Sequence, residues 1–418
     1  MLNRKTRGAG SAIAAIAIAM SVLLSACTSG SGGGGGLLGG GATEASEKPT
    51  IPAPAITIVP AEGTNRVRPD KNVVVTAQGG ALEEVLVESS GEPVEGEFDA
   101  ARTKWTSKQP LRPSTTYTVS AKATGEGGPT TATSEFTTLK PKTELAVIDV
   151  TPGIKGETVG VGMPIMVTFS QAVTNKAAVE AALKVDAEKP SEGAWRWISD
   201  RLVIYRPAKF WPAHQKVTFT ADLTGVRGGA DMYGTKAFTH TIKIGARMVS
   251  TVNTKTHMMV VKKDGKTVQT MKISAGKATT REYTTTSGVH LTMSRHNPET
   301  MISPGKKEGD PGYYKEIVNH AVRISNSGEY VHSAPWSVGS QGRANVSHGC
   351  INAHPNQAKW YYDNFQRGDI VTIVGTDREL EWNNGWGFWQ MSYAKWKRGS
   401  ALKEQPADTA DTTATTVS

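Results

Sequence analysis

From about residue 51 to residue 246, apolar positions fall in short runs that alternate with polar ones and are rich in Val, Ile and Thr. Pro, Gly or Asp interrupts them at intervals of about 8–12 residues, and no helical period is sustained. Such period-two runs predict strands with one face buried and the other in water. The pattern also repeats. Lys71-Asn72-Val73-Val74-Val75-Thr76, downstream of Pro60, has a counterpart in Met163-Pro164-Ile165-Met166-Val167-Thr168, downstream of Pro152. Leu111 to Ala121 is echoed by Phe210 to Ala221, and the units close on strand-like runs, Ser134 to Leu139 and Ala237 to Ile244.

Repeated short strands joined by Pro/Gly/Asp turns predict antiparallel sandwiches of the immunoglobulin-like kind, over residues 51–142 and 143–246. Neither unit contains a cysteine, so packing alone must hold each core. Trp105, Trp195, Trp197 and Trp211 are expected in those cores or between domains rather than in a binding cluster.

The pattern changes near Ala246. His257 to Val261, the pair Asp264-Gly265, and Val268 to Ile273 predict strand, tight turn and strand. Thr285-Thr286-Ser287-Gly288-Val289-His290-Leu291 predicts a turn and a further strand. From Arg295 to Glu316 the chain is Pro/Gly-rich and aperiodic, which predicts an irregular, functional loop. Ala321 to Ser325 and Glu329 to His332 are strand-like. Ala358, Tyr361, Tyr362 and Phe365 have helical spacing, Arg367-Gly368 ends that helix, and Asp369 to Val374 predicts a buried strand. The expected fold is mainly β: two sandwiches, then a β-rich third domain (247–376) with one main helix. A Trp-rich subdomain (377–402) follows. Its four tryptophans, Trp382, Trp386, Trp389 and Trp396, are too apolar a cluster to stay in solvent.

Composition changes this picture mainly at the ends. Residues 1–26 have a short basic start and an apolar run, Ala12 to Leu24, as a secretory signal does. Leu24-Ser25-Ala26-Cys27 resembles a bacterial lipobox, which implies lipidation of Cys27 and anchoring to the outer face of the cytoplasmic membrane. Residues 28–50 are Gly/Ser- and then Pro/Ala/Thr-rich, a flexible tether spanning on the order of 25–30 Å. The Thr/Ala/Asp-rich end, 403–418, is expected to be disordered. The formal charge is +9, and Arg4, Lys5 and Arg7 lie in the segment expected to be removed. A modest excess without Lys/Arg runs among aromatics excludes a nucleic-acid partner and suits anionic envelope polymers.

The chemistry lies in His332 to Asn352. This stretch holds two of nine histidines and one of two cysteines. With Cys27 lipidated, Cys350 is a free thiol in an oxidising compartment, a liability unless it reacts. A thiol needs a base to act as a nucleophile at neutral pH, and histidine is the usual one. Gly349 suits a tight backbone whose N–H groups at 349 and 350 point at a developing oxyanion. The helix that follows is expected to bring its N-terminus near the thiol and favour thiolate.

His332, fourteen residues, then Ser347-His348-Gly349-Cys350-Ile351-Asn352 resembles the signature of the L,D-transpeptidase (YkuD-type) catalytic domain. The lipobox, the two sandwiches, His332-Ser333-Ala334-Pro335-Trp336 and the Trp-rich tail resemble its mycobacterial members. The resemblance implies a peptidoglycan enzyme acting on tetrapeptide stems as donor and acceptor. Cys350 would take the acyl group of meso-diaminopimelate as a thioester, releasing D-Ala, and a second stem's amine would resolve it into a 3→3 cross-link. It implies carbapenem-type β-lactams as covalent inhibitors, and no cofactor. By position, His332 is the base, Ser333 orients it through its carbonyl, His348 shapes the site, and Gly349 and Cys350 supply the oxyanion hole. Asn352, Ser327, Gly328 and Trp336 fall at substrate-contacting positions. Tyr313 or Tyr314 is the lid tyrosine, and 295–316 the lid. The tail is implied to brace the catalytic domain against the second sandwich. Some relatives hold calcium in that sandwich; here Arg227 and Ala230 replace the acidic ligands, so no metal is expected. The alternatives are an L,D-carboxypeptidase on the same stems and a catalytically silent peptidoglycan-binding lipoprotein.

Overall fold

The computed structural model describes residues 51–303 and 305–402. The signal segment, Cys27, the tether and the tail after Leu402 lie outside the described residues.

The alternating runs become sandwiches. In the first, Ala55–Val59, Val74–Gln78, Lys104–Ser107 and Gly96–Phe98 form one sheet; Glu92–Pro93, Ala81–Ser89, Thr116–Gly125 and Gly128–Thr137 form the other. Along Thr116–Gly125 burial alternates residue by residue, placing Tyr117, Val119, Ala121 and Ala123 inside. Trp105 is in this core, and Tyr117 stacks on Phe136 at 5.5 Å.

The second sandwich departs from a purely antiparallel plan. Its strand Val147–Thr151 pairs with Ile165–Phe169; the chain then changes sheets, and Thr158–Val159 runs parallel to Phe238–Ile244. Met232–Gly234 is parallel to Thr143–Leu145, and a short helix, Lys176–Ala181, links two strands. Period-two patterning does not report strand direction, and these pieces are too short to show a period of their own. Trp195 and Trp211 lie in the core with Phe219, and the half-buried Trp197 packs against it, so the three tryptophans serve packing as expected. In the Gly225–Asp231 loop, Arg227 Nε donates to the Gly229 carbonyl and Asp231 pairs with Lys142.

The third unit is a nine-stranded sheet ordered 288–291, 370–374, 248–253, 258–263, 266–274, 351–353, 330–333, 321–323 and 294–296. Two neighbouring pairs are parallel: Met248–Asn253 with Ile370–Val374, and Tyr330–Ser333 with Ile351–Ala353. Helix Pro355–Asn364 covers the sheet through Ala358 and Tyr361, and Tyr361 stacks on Phe365 at 3.9 Å. Pro355 at the first helical position and the His354 side chain, which accepts from the Asn356 N–H, start it. The aperiodic lid segment is not wholly irregular: Glu299–Ile302 and Lys315–Val318 pair as an antiparallel hairpin.

The catalytic unit is joined tightly to the second sandwich. The N–H groups of Gly160 and Gly162 donate to the carbonyls of Arg367 and Gly368 at 2.8 and 2.9 Å. Gly368 has φ +84°, and a Cβ there would strike Met163, so the position demands glycine twice over. The tail returns to the same joint. Trp389 Nε1 donates to the Gly162 carbonyl and Trp396 Nε1 to that of Ala194, both at 2.9 Å. Arg206 of the sandwich donates to the Met391 carbonyl and lies over the Trp389 and Trp396 rings.

Candidate active site

Strands Tyr330–Ser333 and Ile351–Ala353 run parallel, with His332 opposite Asn352. Side chains two residues apart share a face of a strand. Cys350 sits in the bend just before its strand, beside the Gly328–Tyr330 segment that leads into the His332 strand. This register brings the chain segments that carry the histidine and the thiol side by side.

All four residues of Tyr330–Ser333 are buried. His332 Nδ1 lies 2.9 Å from the Ser333 carbonyl. A carbonyl only accepts, so Nδ1 carries the proton and Nε2 is left with its lone pair, as a general base requires. Burial pushes the imidazole down to about 4, against the hydrogen bonds to Ser333 and Asn352 that favour its charged form. Asn352 Nδ2 is itself held, donating to Ser337 Oγ at 3.1 Å. Trp336, 55 % exposed, places its ring 6.0 Å from that of His332.

Cys350 is a free, half-buried cysteine. Its Sγ lies 3.5 Å from the Gly328 carbonyl. Burial pushes the thiol up to about 12; the Tyr330 N–H works against this, and the charges of Glu329 and Glu316 add to it. The resting pair is therefore imidazole and thiol. This corrects the expectation that the helix favours thiolate. Strand Ile351–Ala353 separates the thiol from the helix that begins at Pro355. Four residues of extended chain span about 13 Å, beyond the reach of a helix terminus.

The oxyanion expectation also needs correcting at Gly349. Its N–H donates to Ser347 Oγ at 3.1 Å, and Ser347 Oγ donates to the Cys350 carbonyl at 2.6 Å. An oxyanion would have to take the Gly349 N–H from Ser347. With φ +128°, Gly349 holds a conformation that L side chains rarely adopt.

Between the lid hairpin and the sheet lies a cavity of about 530 Å³. Ser327, Gly328, His348, Gly349 and Tyr314 line it. Tyr314 is thus the tyrosine of the pair that faces the site: its ring stacks on His348 at 4.7 Å, whereas Tyr313 is not in the lining. Cys350, His332, Ser333, Asn352 and Trp336 are not in the lining either, although Gly349, next to the thiol residue, is. Ser327 is fixed by Asn384, which accepts from its N–H and donates to its hydroxyl.

Several residues here were not singled out from the sequence. Tyr283 packs edge-on against the other side of His348, at 4.7 Å. Burial, then the charges of Lys277 and Lys306, hold His348 below the usual histidine range. Lys306 also reaches from the lid to the Tyr283 hydroxyl at 3.5 Å. Arg323 and Arg378 line the cavity. None lies in a motif. Glu329, which also lines the cavity, stands just before the strand Tyr330–Ser333.

Comparison with known proteins agrees with this architecture. Residues 64–227 match the bacterial Ig domain family (Big_10), and residues 247–373 match the L,D-transpeptidase catalytic domain (YkuD). L,D-transpeptidase 2 of Mycobacterium tuberculosis is 36 % identical over 352 residues, 83 % of this chain and 85 % of that protein. L,D-transpeptidase 5 of the same species is 33 % identical over 384 residues, 89 % of this chain and 83 % of that one. A crystal structure of M. tuberculosis L,D-transpeptidase 3 with a faropenem-derived adduct is 32 % identical; it covers 55 % of this chain and 98 % of its own, with a TM-score of 0.46. With L,D-transpeptidases 2 and 5 each above 30 % identity and matched over more than four fifths of both chains, the chain belongs to the YkuD-type L,D-transpeptidase family.

Proposed function

We propose that this protein joins peptidoglycan stems by 3→3 cross-links through a thioester on Cys350. The observation that carries the reading is the parallel pairing of the His332 strand with the strand that Cys350 leads into, with His332 Nδ1 committed to the Ser333 carbonyl. Nε2 takes the thiol proton as sulfur attacks the carbonyl between meso-diaminopimelate and D-Ala. The C–S bond forms, the C–N bond breaks, and D-Ala leaves as an amine carrying the proton returned by His332. The side-chain amine of a second stem then displaces sulfur, giving up a proton to His332 and restoring the thiol. The Tyr314 lid limits water, so that amine rather than hydroxide resolves the thioester.

Lipidation of Cys27 would hold the enzyme at the outer face of the cytoplasmic membrane, with the tether and sandwiches extending it toward the wall. Carbapenem-type β-lactams, which present a strained acyl group to the same thiol, are proposed as covalent inhibitors.

The test is incubation with purified disaccharide-tetrapeptide, followed by mass spectrometry. A 3→3 dimer is expected, absent with Cys350→Ala. Tripeptide alone would make the protein a carboxypeptidase. No product, together with no carbapenem adduct, would leave a silent binding protein.

A further inference from the structure

A buried carboxylate stands behind the nucleophile and takes no part in the reaction above. Glu329 is almost wholly enclosed, as are Thr285, Thr286 and His290. Burying a carboxylate is unfavourable unless its oxygens are satisfied, and an apolar side chain would avoid that cost. Here they are satisfied. Glu329 accepts from the Thr286 N–H at 2.7 Å and from Thr286 Oγ at 2.7 and 2.9 Å. His290 Nε2 lies 2.8 Å from Thr286 Oγ and 3.7 Å from the carboxylate. These bonds hold the pair in place and keep Glu329 ionised.

What this group holds is informative. Gly328 and Tyr330, the neighbours of Glu329, make the backbone contacts to the Cys350 sulfur: the Gly328 carbonyl faces it and the Tyr330 N–H points at it. Thr285, adjacent to Thr286, donates from Oγ to the Gly349 carbonyl at 2.8 Å and accepts from the Gly276 N–H at 2.8 Å. Two consecutive threonines thus grip both chain segments that flank the thiol, one directly and one through Glu329.

We propose that Glu329, with Thr285 and Thr286, is a positioning group: it fixes the Gly328–Tyr330 and Gly349 backbones so that the thiol of Cys350 is aimed for acyl transfer. The proposal rests on the reading of Cys350 as nucleophile. A misplacement of about 1 Å costs on the order of 100-fold in rate, so loosening either arm is felt in acylation. The groups that face the thiol and titrate or carry charge are Glu329, Glu316, Tyr314 and Tyr330. The negative charge of Glu329 opposes ionisation of the thiol. Its removal therefore favours simple thiolate chemistry while harming positioned chemistry.

The experiment compares two reagents on the full chain: a carbapenem, which needs an aimed thiol, and iodoacetamide, which needs only thiolate. For Glu329→Gln and Thr286→Val, acylation should slow about tenfold or more. Alkylation at neutral pH should hold or rise. Thr286→Ser, which keeps the hydroxyl, should restore acylation. The proposal is overturned if acylation stays within about twofold of native in both variants, or if both reagents slow equally, since the residues would then serve folding alone. Absence of acylation in the native chain would instead overturn the assignment of Cys350 as nucleophile.

Discussion

At pH 7 a thiol pushed up to about 12 is ionised to about one part in 10⁵, and an imidazole pushed down to about 4 is protonated to about one part in 10³. A gap of about eight pKa units, at about 1.4 kcal/mol each, places the separated thiolate–imidazolium pair on the order of 10 kcal/mol above the neutral pair; mutual attraction narrows this. Proton transfer therefore accompanies attack rather than preceding it. Alkylation by iodoacetamide, followed by mass spectrometry from about pH 5 to about pH 10, should climb about tenfold per pH unit without a plateau, because thiolate is the nucleophile. His332→Ala should leave that slope unchanged yet slow carbapenem acylation by about 10²–10⁴, the usual worth of a general base. A native plateau below about pH 8 that disappears in His332→Ala would refute the reasoning, since it would mean an ion pair stands in the resting enzyme.

Other outcomes follow from the same structure. Tyr314→Ala removes the ring on His348 and should shift product from dimer toward tripeptide, whereas Tyr313→Ala should not; chromatography of the two variants' products decides it. Trp396→Ala removes a fully buried ring and the partner of the Ala194 carbonyl, which should destabilise the joint by about 3–5 kcal/mol; an unchanged thermal transition and protease sensitivity would count against the brace. Asp369 is pushed up by burial to about 8, so its contribution to stability is full below about pH 4 and lost as pH rises through about 8. Asp369→Asn should therefore gain on native by at most a few kcal/mol at about pH 8 and little at about pH 4 in thermal melts; an equal offset at both would exclude this titration.

The candidate pair was legible because its chemistry sits in a compact motif: a cysteine, a glycine before it, and two histidines at a family-typical spacing. The sandwiches were legible because half-buried strands alternate along Thr116–Gly125 and Gln215–Ala221. What was hidden depends on register and distance. Nothing in the sequence says that three strand residues separate Cys350 from the helix, or that Ser347 engages the Gly349 N–H. Nor does it say which of two adjacent tyrosines turns inward, because a single loop residue inverts the choice. Thr285 and Thr286 read as ordinary turn residues, since their partners Gly349 and Glu329 are distant in sequence.

The tail that returns to the second sandwich also bears on how the protein comes to be made. Trp389 and Trp396 follow every strand of the nine-stranded sheet in the chain, yet they pair with the Gly162 and Ala194 carbonyls of a unit that emerges much earlier. Domains form as units in the order they emerge. The sandwich must therefore wait, with a partly apolar flank open, until the last segment arrives. A premature stop after Gly375 would leave the whole motif intact and the joint unsealed. Such a truncation should be cleared by proteases or chaperones rather than accumulate as a smaller working enzyme.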